Sequence, residues 1–248
     1  MVAPINSFSS NFQFDYYKKI SKTLKNLMKT SETIIVSPNV KKKLFDTLIC
    51  SFEIVIFGYF INYSFPYKII AFVALSHTSF IISRNINHQL ISFAQLFKNT
   101  FKTRTIIYLI IGIQMGLAAA MYYRGSNTMP VLPNLIKPFS IIAVSIGITE
   151  ELFFRGFIQT QLNRINTYWA ILFAAFTHTA YKTSLFISPA TIIPHENIPF
   201  FMIASFIAFI ILGILKQQSK NLLPSIIAHA AFDLVVYAEI TQAPWWVW

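Results

Sequence analysis

Residues 139–156 read FSIIAVSIGITEELFFRG, and the fold turns on how that run is taken. From Phe139 to Ile148 the residues are apolar or small without alternation, so a half-buried strand is ruled out and a helix remains. The same helix then carries Glu150, Glu151 and Arg155 among Leu152, Phe153 and Phe154, with no turn residue to end it. Composition says what surrounds it. The chain is 55% hydrophobic and 12% charged, whereas soluble domains have about 25% charged residues. With 25 Phe and nine acidic residues in 248, it cannot coat a soluble globule with polar groups.

A membrane-crossing helix needs about 20 mostly apolar residues. Working outward from 136–158, six more such runs stand at 44–62, 67–83, 105–123, 165–182, 198–215 and 222–240. None alternates as a barrel strand would, and in lipid only helices and closed barrels satisfy the backbone. The expected fold is all-α, a polytopic membrane protein with about seven transmembrane helices. Its expected parts are a basic amphipathic segment 1–43, three helices over 44–123, a four-helix core over 136–240 and a Trp-rich anchor 241–248 with Trp245, Trp246 and Trp248. Residues 1–17 lack the apolar centre of a signal peptide. The single cysteine, Cys50, allows neither an internal disulfide nor a Cys-based zinc site.

The net charge of +11 first suggests a nucleic-acid partner, but its placement points elsewhere. With a cytoplasmic N-terminus and seven alternating spans, sixteen of the twenty Lys and Arg fall on the cytoplasmic side, leaving Lys68, Arg124, Lys137 and Lys182 outside. That is the positive-inside bias, so a multi-pass protein of the cell membrane is expected and nucleic acid is not. Lys18, Lys22, Lys25 and Lys29, beside an apolar stripe of Ile20, Leu24, Leu27 and Met28, read as an interfacial helix.

Ionisable groups inside spans cost several kcal/mol each and are functional hypotheses by default. Glu151 and Arg155 are four apart and can pair, whereas Glu150 lies about 140° round the helix from Arg155 and is freer to do chemistry. His229 and Asp233 are likewise four apart in the last span, and His178 stands alone in the fifth. His178 reaches the depth of the others if its helix starts near Tyr168, after a break at Asn163 to Asn166. A purely structural Arg–Glu lock would explain Glu151 and Arg155 but gives Glu150 no reason. Plainer roles suit the rest: Asp46 and Glu239 at span edges, Glu53 paired within the bundle, His77 packed between helices, and His195 and Glu196 in a Pro-bounded loop.

At these residues the sequence resembles the CPBP family of intramembrane proteases, the CAAX prenyl protease and bacteriocin-processing group also called ABI. The family's E-E-x-x-x-R reads Glu150, Glu151 and Arg155, and its H-x-x-x-N reads His229 to Asp233, with Asp in place of the usual Asn. Its F-x-x-x-H is imperfect at His178, where Ala174 stands between Phe173 and Phe176. The resemblance covers 136–240 and implies an intramembrane endopeptidase. Glu150 and His178 would activate water, His229 and Asp233 would bind the oxyanion or orient the attack, and Arg155 would hold Glu151. A membrane-associated peptide or protein is the implied substrate. No cofactor is required on this reading; zinc is possible, since two His and a carboxylate form a plausible ligand set, but the short H-x-x-x-H spacing is missing. The alternatives are a non-catalytic scaffold or bacteriocin-immunity-type protein, and a transporter, for which no paired inverted repeat is visible.

Overall fold

A computed structural model describes residues 38–87, 93–190 and 197–241. The chain divides into two units, Met1–Lys42 and Lys43–Trp248, and every contact given below lies within the second. The helices are α1 Pro38–Phe60, α2 Lys68–Asn87, the single turn α3 Phe93–Leu96, α4 Thr103–Ser126, α5 Pro138–Glu151, α6 Thr167–Ile187, α7 Ile198–Ser219 and α8 Leu223–Val236. α5 continues without a break through a π-helical stretch, Leu152–Gln159, into a closing turn, Thr160–Leu162. Among the described residues there is no strand.

Each of the seven expected spans has its helix. By length and composition α2, α4 and α7 are long and apolar enough to cross a membrane, and the remaining helices are shorter or more polar. The last expected span is too long: α8 stops at Val236, where the Tyr237 amide donates to the Asp233 carbonyl. The stripe of Lys18 to Lys29, the pair His195 and Glu196, and Trp245, Trp246 and Trp248 lie outside the described residues.

Local chemistry sets the helix starts. Pro138, Pro199 and Pro224 occupy first-turn positions, where the missing N–H is no loss. The break between Leu162 and Thr167 falls at the expected place, because Asn166 turns extended and its side chain accepts from the Tyr168 and Trp169 amides.

The distribution of side chains is the reverse of a soluble protein's. Phe52, Phe72, Phe80, Trp169, Phe176 and Ile203 face outward, while Glu151, Arg155, Gln159 and His178 are fully buried. That arrangement suits lipid outside and a polar interior. Around the polar interior lies an apolar core of Phe57, Phe154, Phe157, Ile158, Tyr181 and Leu185. Asp46 is itself buried, accepting from Arg84 Nη2 at 2.8 Å and Asn85 Nδ2 at 3.0 Å. Glu53 pairs within the bundle, to the His77 ring and to Thr78 Oγ1.

Two glycines bring α4 against α8. In Gly112-Ile-Gln-Met-Gly116 a Cβ at Gly112 would lie 2.6 Å from the Pro224 carbonyl oxygen, and one at Gly116 would strike that of Ala228. Glycine at this four-residue spacing lets two membrane helices touch backbone to backbone. The contact fixes α8 in the turn that carries His229.

Candidate active site

Three i,i+4 pairs on three helices meet here: Glu151 with Arg155, His178 with Lys182, and His229 with Asp233. A helix places residues four apart on one face, so each helix delivers two polar groups together. Arg155, fully buried, is the junction between them. Its Nη1 donates to Glu151 Oε1 at 2.9 Å and meets His178 Nδ1 at 2.5 Å, and its Nη2 donates to the Phe209 carbonyl at 3.0 Å. A guanidinium can only donate, so His178 Nδ1 accepts and the ring proton is on Nε2. That Nε2–H then donates to Glu150 Oε2 at 3.0 Å.

The His178 ring is clamped between two aromatic faces. Phe154 stacks on one side at 3.9 Å and 11°, and Phe209 on the other at 3.6 Å and 6°. With both ring faces covered and both nitrogens bonded, the imidazole has one orientation.

His229 comes from α8. Its Nδ1 donates to Glu151 Oε1 at 3.0 Å, so one carboxylate oxygen ties α8 to Arg155. Its Nε2 points to Glu150 Oε2 at 3.8 Å and Asp233 Oδ2 at 3.7 Å. These separations are too long for direct hydrogen bonds. α5 approaches this spot at Gly147, where a Cβ would strike Asp233 Oδ2 and come within 3.4 Å of His229 Cδ2.

All six residues singled out in the sequence, Glu150, Glu151, Arg155, His178, His229 and Asp233, are thus brought together and buried. One expectation needs correcting. The Glu151–Arg155 pairing left Glu150 as the freer carboxylate, yet the Lys182 ammonium stands on Glu150 Oε1, with the lysine side chain 15% exposed. Glu150 is therefore partnered, not free. The signal was present in the sequence, since Lys182 lies one helical turn beyond His178. Phe209 was missed for a different reason: it stands in a helix apolar on every side, where no pattern marks one ring.

Among the described residues no three His, Cys, Asp or Glu side chains form a group that could hold a metal ion. His178 spends both nitrogens on Arg155 and Glu150, and Lys182 already supplies a cation to Glu150.

Residues 132–235 match the family described as type II CAAX prenyl endopeptidase, Rce1-like. This stretch is similar to an Rce1-like domain. The matched stretch contains all six residues and Lys182, and runs from the loop before α5 almost to the end of α8. No curated protein and no solved structure matches the chain.

Proposed function

We propose that the protein is a glutamate-dependent intramembrane endopeptidase that cleaves a membrane-associated peptide or protein. The observation that carries this reading is Glu150, whose Oε2 is oriented by His178 Nε2–H and faces His229 Nε2 across 3.8 Å. Glu150 takes a proton from a water hydrogen-bonded to Oε2, and the hydroxide adds to the substrate carbonyl carbon. With Nδ1–H spent on Glu151, His229 donates from Nε2 only as the imidazolium, and in that form Nε2–H is the donor placed for the oxyanion or the leaving nitrogen. Asp233 acts through His229, since a carboxylate cannot donate to an oxyanion. Glu151 and Arg155 hold the two histidines in place. No step passes through a metal.

The cell membrane, with a cytoplasmic N-terminus, is the proposed location. A quenched-fluorescent peptide ending in a farnesylated CAAX tail, presented to purified protein in liposomes, tests the activity. Wild type cleaves it and Glu150→Gln, which keeps shape, does not; equal rates would overturn the assignment of Glu150. Cleavage should also persist after exhaustive chelation, and its loss would restore a metal to the mechanism. A scaffold reading predicts instead that the biological phenotype survives Glu150→Ala and His178→Ala.

A further inference from the structure

The cluster holds three carboxylates, Glu150, Glu151 and Asp233, and two side chains of fixed positive charge, Arg155 and Lys182. Arg155 is committed to structure, through Glu151, His178 and the Phe209 carbonyl. Lys182 is placed differently. It forms an ion pair with the reacting carboxylate itself, on the oxygen opposite the one that His178 orients. Its ammonium also stands 5.3 Å above the Tyr181 ring, a cation–π contact on the Glu150 side of α6.

Charge moves during the attack, and Lys182 is where the movement matters. Before it, the negative charge is on Glu150. As water adds, one O–H proton goes to Glu150 and the water oxygen bonds the carbonyl carbon. The carbonyl π pair moves onto its oxygen. Glu150 is then neutral and the negative charge stands on the new oxyanion, a few ångströms away. The ammonium that balanced Glu150 loses its partner's charge at the moment a new anion forms beside it. Collapse of the intermediate returns the electron pair, breaks the C–N bond and delivers the Glu150 proton to nitrogen, restoring the ion pair.

Resting on the peptidase reading above, we propose that Lys182 is a further catalytic residue, pairing with Glu150 before the attack and with the oxyanion after it. This role falls to Lys182 because Asp233, a carboxylate beside His229, would repel the same oxyanion. A cation on a flexible stem can follow the charge across this distance without any helix moving.

The test uses full-length protein in liposomes and the farnesylated CAAX peptide, with wild type, K182M, K182R and E150Q compared per mole of folded protein. Loss of one oxyanion-stabilising donor lowers kcat about 10²- to 10³-fold. K182M is expected to lose kcat on that scale with KM unchanged, and K182R to recover at least tenfold of it (about 1.4 kcal/mol). K182Q, which keeps a hydrogen bond and drops the charge, substitutes for K182M if the latter misfolds. A structural role alone would lower the folded fraction and leave kcat per folded molecule intact. K182M turning over at the wild-type rate while E150Q is dead overturns Lys182 and leaves the peptidase reading standing. Wild type no faster than E150Q overturns the peptidase reading for this class of tail, and the assignment of Lys182 with it.

Discussion

Removing the Glu151 carboxylate should both loosen the bundle and disarm it. Glu151 is fully buried, and its Oε1 accepts from Arg155 Nη1 at 2.9 Å and His229 Nδ1 at 3.0 Å. Glu151→Ala deletes both bonds and leaves a buried guanidinium without its carboxylate. Breaking a buried ion pair from one side costs about 3–5 kcal/mol. For a chain of this size each kcal/mol lowers Tm by about 2–4 °C, so Glu151→Ala should melt roughly 6–20 °C early. Glu151→Gln keeps the shape and an acceptor oxygen and loses only the charge-assisted part of two bonds, about 1–2 kcal/mol in all. It should melt only about 2–8 °C early. Melting can be followed by the fluorescence of the chain's four Trp in detergent micelles. Glu151→Gln should also lose turnover, about 10²-fold if His229 shifts by an ångström. Glu151→Ala melting within about 2 °C of wild type would refute the reasoning, because a fully buried Arg155 would then need no counter-ion.

Two further outcomes are expected. Gly147→Ala drives a methyl into Asp233 Oδ2; turnover should fall about 10²-fold while stability drops by only about 1–3 kcal/mol, measured by peptide cleavage and melting together. At the far end of α4, Arg124 Nη2 donates to Glu239 at 2.6 Å and the Asn134 amide adds a bond at 2.9 Å, together holding the Glu239 carboxyl below the ordinary glutamate range. A carboxylate with a lowered value stabilises the fold above its unfolded value, about 4.3, and loses that contribution as pH falls through the folded value. Melting temperature should therefore drop more between about pH 5 and pH 3 for wild type than for Glu239→Gln, and parallel curves would contradict the clasp.

The spans were legible because lipid demands long apolar runs, and those runs survive in one dimension. The Glu151–Arg155 and His229–Asp233 pairs were legible too, since four-residue spacing is a property of the helix itself. The π stretch Leu152–Gln159 was not, because LFFRGFIQ has the composition of any amphipathic turn and its widening depends on neighbours. The Lys182–Glu150 pair was passed over because a sum over charges weighs each Lys only by its side of the membrane and ignores what the facing helix offers it. The stacking of Phe209 on His178 joins residues of different helices, and nothing near either position announces the other.

Gly112 and Gly116 also bear on how such a protein can change over time. The matched stretch starts at residue 132, yet the helix against which α8 lies backbone to backbone starts at Thr103. The segment that would be inherited as a unit is therefore smaller than the segment that must fold as one. A bulkier residue at position 116, far in sequence from every motif yet against the Ala228 carbonyl, would push His229 off its carboxylates and silence the site while leaving each recognisable motif intact.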